Sequence, residues 1–93
     1  MRVLFSPQVP AVEGQQIRYT FDNDVIVVEI DGQTDVFDFS EMPDGMATNI
    51  ETTLPINPIL SARRVGGVLE VVLLNWIGPD APEEERFPTW QEV

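Results

Sequence analysis

Apolar residues occur along the chain in short blocks rich in β-branched side chains, and turn-forming residues separate these blocks. This pattern is typical of β-strands and not of helices, whose apolar residues recur every three to four positions. The clearest unit is a three-stranded meander with predicted strands at Gln16 to Phe21, Val25 to Ile30 and Thr34 to Phe39. Tight turns at Asp22-Asn23 and at Asp31-Gly32 connect them, because Asp-Gly suits the positive φ angles of a type I′ turn.

The two turns also set the register of each hairpin. Tyr19 is predicted to lie opposite Ile26 around the first turn, and Ile26 opposite Phe37 around the second. Both registers place the same alternate residues on one face, which we expect to be buried. The predicted core face consists of Ile17, Tyr19, Phe21, Ile26, Val28, Ile30, Phe37 and Phe39.

The opposite face of the meander carries three valines, Val25, Val27 and Val36, among polar side chains. We call this surface the valine face. Monomeric proteins seldom leave a contiguous apolar patch open without a purpose. We therefore expect a tail segment or another copy of the chain to cover the valine face.

A second hairpin is predicted from Ile59 to Arg64 and from Val68 to Ile77, with a Gly-Gly turn between the two strands. This register places Arg63 opposite Glu70 as an ion pair, while Arg64 is expected in solvent at the end of the hairpin. The second strand is apolar on both faces except at two positions, which is typical of a strand inside a sheet.

The organisation predicted for the whole chain is a single all-β domain covering residues 1–93. Residues 1–15 form an N-terminal arm with a possible edge strand, residues 16–77 form the β core, and residues 78–93 form an acidic, Pro-rich tail. The meander and the hairpin are expected to form one strongly twisted antiparallel sheet or a small open barrel. Both termini are expected to be extended, because proline and glycine interrupt them.

Composition narrows the chemistry that the chain can perform. The chain has no cysteine, histidine or lysine, and its formal charge is −11. Thiol chemistry, histidine acid–base chemistry and lysine Schiff bases are thereby excluded. The negative charge also argues against nucleic acid and anionic membranes as partners, whereas a protein with a basic surface remains compatible. The apolar runs are too short for a signal peptide or a membrane span.

Carboxylates are the remaining candidates for catalysis or metal binding, and five aspartates lie near the meander turns. Paired carboxylates serve glycosidases as acid and base, but those pairs lie in a cleft that one small sheet does not provide. Asp22, Asn23 and Asp24 resemble the start of a calcium loop, yet the later ligands of an EF-hand are missing. Aspartate is common at turns for conformational reasons. We assign no catalytic residue, cofactor site or metal ligand.

The tail contains two large aromatic side chains in an acidic, Pro-rich setting. Phe87 and Trp90 follow a run of three carboxylates, Glu83, Glu84 and Glu85. The two rings either pack back onto the domain or bind a partner, since burial of each contributes roughly 1.5 to 3 kcal/mol. Under the second interpretation, the tail is an attachment arm anchored by the aromatic residues and oriented toward a basic surface by the glutamates.

Two segments of the chain resemble a known group of proteins. VFDFSEMPDG (residues 36–45) and GGVLEVVLLNWIGPDAPEEERFP (residues 66–88) are similar to small proteins encoded in the tail and tail-fibre gene region of bacteriophages and prophages. The resemblance spans roughly residues 16–88 and is carried by turn and strand residues. The resemblance implies a phage-derived protein that is made in bacterial cytoplasm, and it does not indicate any catalysed reaction. Asn75-Trp76-Ile77 departs from the pattern, because relatives end this strand in a more polar turn that contains proline.

The leading functional hypothesis is a non-catalytic structural or accessory protein of the phage tail region that acts through protein contacts. Its expected partner is another tail component or a second copy of itself, in the host cytoplasm or associated with the virion. Two alternatives belong to other classes: an acidic inhibitor that mimics nucleic acid at the basic site of a host enzyme, and a small carboxylate hydrolase. Mimicry requires carboxylates along one exposed face, and hydrolysis requires two carboxylates that converge in a pocket.

Overall fold

A computed structural model describes residues 1–10, 14–47 and 49–93 of the chain, and they are mostly β-structure. Within these ranges the chain forms eight strands and one short helix. The elements are β1 (Arg2–Gln8), β2 (Ile17–Asp22), β3 (Val25–Ile30), β4 (Gln33–Asp38), β5 (Gly45–Met46), β6 (Ile59–Val65), β7 (Val68–Trp76), α1 (Glu83–Arg86) and β8 (Gln91–Glu92). Among the described residues, no helix is long and apolar enough to span a membrane.

The all-β class was predicted correctly, but the strands form two sheets and not the single antiparallel sheet that was expected. The strands described do not form a closed barrel. The first sheet has the order β5-β6-β7-β1-β8, and the second is the antiparallel meander β2-β3-β4. The first sheet is mixed, because β1 runs parallel to β7 with Arg2 opposite Glu70. Turn residues in a sequence indicate hairpins between neighbouring strands, whereas a parallel pair joins segments that are distant along the chain.

The core lies between the two sheets and confirms the predicted inner face of the meander. Ile26, Val28, Ile30, Phe37 and Phe39 are buried, and the three inner residues of β2 are partly buried against them. The five-stranded sheet contributes Val3, Ile59, Ala62, Leu69, Val71 and Leu73 to the same cluster. Alternation along the strands of the meander therefore determines which of their side chains are buried.

The register of the second meander hairpin was predicted correctly, whereas that of the first was shifted by two residues. Ile26 lies opposite Phe37 as expected, but Tyr19 lies opposite Val28. The first turn consists of Asn23 and Asp24, one residue later than predicted, and Asn23 adopts the left-handed conformation there, with φ 53°. A shift of two residues keeps every side chain on its face, which is why the core prediction survived.

The second hairpin confirms the pairing of Arg63 with Glu70, and β7 lies inside its sheet as predicted. The Glu70 carboxylate is buried and binds two guanidinium groups, that of Arg63 at 2.7 Å and that of Arg2 at 2.5 Å. Two arginines from strands on either side of β7 therefore compensate one buried charge. The contact with Arg2 was not predicted, because it depends on the pairing of β1 with β7.

The prediction that Arg64 lies in solvent was wrong. Its side chain is only 11% exposed, and its guanidinium forms an ion pair with Asp24 at 3.0 Å. It also donates hydrogen bonds to the carbonyl oxygens of Phe39, Met42 and Gly67, at 2.6, 2.7 and 3.0 Å. Asp24 and Phe39 flank strands of the meander, whereas Arg64 belongs to the other sheet. Arg64 thus connects the two sheets.

Both termini take part in the five-stranded sheet, which corrects their description as extended arms. Residues 2–8 of the predicted N-terminal arm form β1, which confirms a strand in this segment but places it between β7 and β8, with Val3 fully buried. Residues 11–13 lie outside the described residues. In the tail, residues 83–86 form a helical turn, and β8 pairs with Arg2 and Val3. Pairing with β1 holds the end of the chain on the domain.

Candidate protein-binding surface

The aspartates near the meander turns form structural contacts within the fold. Asp24 binds Arg64, and the Asp31 carboxylate accepts the backbone N–H of Gln16 at 3.2 Å. Asp38 accepts the hydroxyl and the backbone N–H of Ser40 at 2.6 and 2.9 Å, and these hydrogen bonds lower the pKa of the Asp38 carboxyl. The contacts of Asp38 with Ser40 agree with the conformational explanation for aspartate at turns, whereas Asp24 binds a residue of the other sheet. In the part of the chain that the structure describes, no group of three acidic side chains could hold a metal ion.

Asp35 links β4 to the long connection that precedes β6. Its carboxylate accepts hydrogen bonds from the Thr52 hydroxyl at 2.8 Å, the Thr53 backbone N–H at 3.0 Å and the Val36 backbone N–H at 2.8 Å. The bond from the Thr52 hydroxyl is the main cause that lowers the pKa of Asp35, followed by the bond from the Thr53 N–H. Hydrogen bonds to a carboxylate stabilise its charged form.

Asp35→Asn is expected to lower the free energy of unfolding by roughly 1 kcal/mol at pH 7, a value reduced for solvent screening. The pKa of Asp35 is lower in the folded than in the unfolded chain, so its contribution is fully present above the unfolded pKa. As the pH falls through the folded pKa, the contribution disappears. Urea unfolding of both proteins from pH 7 to pH 2 measures this difference, and a difference that stays constant down to pH 2 contradicts the assignment. Thr52→Ala in the same series tests whether the hydroxyl is the partner.

The C-terminal segment presents one aromatic ring beside three carboxylates. Pro82 precedes the helical turn α1, and the backbone N–H of Phe87 closes it on the Glu83 carbonyl at 2.9 Å. Negative side chains in a first helical turn are favourable, which explains why the acidic run forms this turn. Phe87 is 67% exposed, and the Arg86 guanidinium lies 5.7 Å from the centre of its ring. Glu83, Glu84 and Glu85 are also exposed.

Trp90 has a different environment from Phe87. It is partly buried, and the Arg2 guanidinium lies 5.3 Å from the centre of its ring, within the range of a cation–π interaction. Directly after Trp90, β8 pairs with β1, and the Val93 N–H donates to the Met1 carbonyl at 3.0 Å. Trp90 therefore helps to hold the segment on the sheet, while the Phe87 ring stays exposed. The sequence predicted the two rings as a pair of equivalent anchors.

The valine face lies on the outer side of the meander, on a different sheet from the C-terminal segment. Val36 is 56% exposed, and Val25 and Val27 are partly exposed. The expectation that a tail segment covers this face is wrong, because the end of the tail pairs with β1. The other expectation, coverage by a second copy of the chain, stays a prediction.

One apolar groove was not predicted from the sequence. It encloses about 560 Å³ and is lined mainly by Val9, Pro10, Trp76, Ile77 and Pro79. These residues follow β1 and end β7, and the parallel pairing of the two strands brings them together. No turn connects β1 to β7, so the sequence gives only a weak indication that the two strands pair. The groove therefore could not be predicted from patterns within single strands or hairpins.

Comparison of the chain with protein-family models, with curated protein sequences and with solved structures returned no match. No family is therefore assigned to the chain. The resemblance of residues 16–88 to phage tail-region proteins stays a prediction.

Proposed function

We propose that the chain is a non-catalytic accessory protein that acts through protein contacts, with Phe87 as the anchor of its binding surface. The observation that carries the proposal is the exposure of this large ring on a segment that is itself fixed to the sheet. The resemblance to phage tail-region proteins favours a tail component as the partner. It also favours a location in the host cytoplasm, with the virion as the alternative.

Exposure on a fixed segment favours binding for a simple reason. The free energy of protein interfaces is concentrated in a few anchors, and aromatic residues are prominent among them. Ordering a flexible segment upon binding costs free energy, but β8 and the contact of Trp90 with Arg2 already order this one. Burial of the Phe87 ring in a partner's pocket would then contribute to the free energy of binding, and little conformational entropy would be lost.

The charge of the surface indicates what the partner presents. Glu83, Glu84 and Glu85 lie directly beside Phe87, and the whole chain carries a formal charge of −11. A complementary partner has an apolar pocket surrounded by Arg or Lys side chains. Charges at the rim of an interface mainly accelerate association and make it sensitive to salt.

Selection of ligands from a yeast-displayed library of random peptides tests this proposal. We expect the enriched peptides to combine basic and apolar residues, and we expect Phe87→Ala to weaken their binding at least tenfold without lowering the free energy of unfolding. Met46→Ala is the matched control, because Met46 is exposed to the same fraction, 67%. Failure to enrich such peptides, or equal binding by the Phe87→Ala variant, contradicts the proposal.

Replacement of Glu83, Glu84 and Glu85 by glutamine separates this proposal from mimicry of nucleic acid. For an anchored contact, we expect a slower association rate and a weaker dependence on salt, with most of the affinity retained. A mimic of nucleic acid would lose most of its affinity through the glutamine changes and little through Phe87→Ala. Surface plasmon resonance with the selected peptides at several salt concentrations distinguishes the two.

A further inference from the structure

The outer edge of β2 differs from the other long strand edges among the described residues. Natural sheets protect their edges with inward-pointing charges, proline or bulges. The β4 edge has Asp35, whose carboxylate accepts the Val36 N–H, and β1 contains Pro7, which has no N–H. The β6 strand has an irregularity between Ile59 and Ser61. None of these three features occurs within β2 (IRYTFD), whose charged side chains, Arg18 and Asp22, are exposed on the face away from the core.

The hairpin geometry determines which backbone groups of β2 face outward. Asp22 and Val25 flank a two-residue turn and form the hydrogen-bonded pair next to it. Because pairing alternates along an antiparallel ladder, Ile17, Tyr19 and Phe21 direct their N–H and C=O groups away from β3. Within residues 1–10, 14–47 and 49–93, no backbone hydrogen bond from another segment reaches these groups.

The side chains of the same three residues are partly buried along the edge. Tyr19 and Phe21 stack with ring centres 6.2 Å apart, and Phe5 lies 5.8 Å from Tyr19. The Tyr19 hydroxyl donates to the Leu74 carbonyl and so ties β2 to the other sheet. A strand added at this edge would satisfy the outward backbone groups and cover the exposed parts of Ile17, Tyr19 and Phe21.

We propose that the occupant of this edge is β2 of a second copy of the chain, paired antiparallel about a two-fold axis at Tyr19. In this register, Ile17 lies opposite Phe21 of the second copy, and both residues have the outward backbone groups that the pairing needs. The two meanders then form one continuous six-stranded sheet. Such an interface is closed and symmetric, because each copy contributes the same surface.

Charge complementarity favours a second copy over an unrelated segment. In the proposed register, Arg18 lies opposite Thr20 of the second copy, with Asp22 on one diagonal and the second Arg18 on the other. The long Arg18 side chain turns away from its symmetry equivalent and toward Asp22, which makes an Arg18–Asp22 contact. Symmetry repeats this contact, which produces two ion pairs across the axis. The formal charge of −11 on each copy opposes association, so we expect a concentration-dependent dimer that 0.15 M salt strengthens relative to 0.01 M salt.

Sedimentation equilibrium of the full chain and of charge-swapped variants tests the proposal. We expect Arg18→Asp and Asp22→Arg each to weaken the dimer at least tenfold, and the combined variant to restore most of the affinity, because the swap recreates both ion pairs. A wild-type chain that is monomeric at 1 mM overturns the proposal. A dimer that both single variants leave unchanged also overturns it.

Hydrogen exchange measured by NMR provides a second test that needs no variant. Such a test is useful because Arg18 also lies opposite Glu29 within the same chain, and replacement of Arg18 therefore alters the monomer as well as the dimer. As the wild-type concentration rises, the outward amides of Ile17, Tyr19 and Phe21 should become protected from exchange. The amides of Thr34 and Asp38 on the β4 edge serve as the control and should be unaffected. Protection that appears at β4 and not at β2 overturns the proposed register.

Discussion

Arg64→Ala is expected to lower the free energy of unfolding by about 3 kcal/mol. The guanidinium forms four polar contacts, and its removal leaves Asp24 and the carbonyl groups of Phe39, Met42 and Gly67 without this donor. Solvent reaches Asp24 in part, which keeps the loss at the lower end of the range for broken buried ion pairs. Because these groups belong to both sheets, the loss should weaken their association.

Urea unfolding followed by circular dichroism measures the effect, with Arg86→Ala as the control. Arg86 is exposed on α1 and contacts the Phe87 ring, so its removal should change the free energy of unfolding by less than about 0.5 kcal/mol. Equal losses in the two variants would show that Arg64 does not connect the sheets. Arg64→Lys is also informative. A single ammonium group cannot reach all four partners of the guanidinium, so we expect the lysine variant to be more stable than Arg64→Ala but less stable than the wild type.

Arg64 illustrates which parts of the fold the sequence could predict. The sequence places it next to a Gly-Gly turn, where an arginine is usually solvated, and Asp24 and Phe39 lie distant along the chain. Their proximity depends on the packing of one sheet against the other, which alternation and turn residues do not encode. The positions of β2, β3, β4, β6 and β7, the buried face of the meander and the Arg63–Glu70 pair were predicted, because each depends on neighbours within one hairpin.

The same limit applies to the candidate binding surface. An acidic segment with two aromatic residues was visible in the sequence, but the different roles of Phe87 and Trp90 were not. Trp90 is held by Arg2 at the opposite end of the chain, and β8 pairs with β1 in the same region. Long-range pairing of β1 thus determines which ring is free, and it also creates the groove beside Trp76. A sequence pattern for parallel pairing is weak when turns cannot set the register.

Val28→Ala is expected to lower the free energy of unfolding by about 2 kcal/mol, whereas Val36→Ala should lower it by less than about 0.5 kcal/mol. The substitution is the same, and both residues lie in the meander, but on opposite faces. Val28 is fully buried between the sheets, and Val36 is 56% exposed on the valine face. Deletion of two buried methyl groups removes their transfer free energy and leaves a cavity, while at Val36 solvent fills the space.

Denaturant unfolding at low protein concentration isolates this effect from association, because a dimer would add its own stabilisation to both variants. A larger loss at Val36 than at Val28 would mean that the valine face, and not the predicted core face, packs against the five-stranded sheet. Repeating the measurement at high protein concentration extends the test to the dimer. Pairing at the β2 edge leaves Val36 exposed and predicts no added loss there, whereas face-to-face packing of two valine faces predicts that the loss at Val36 grows with concentration.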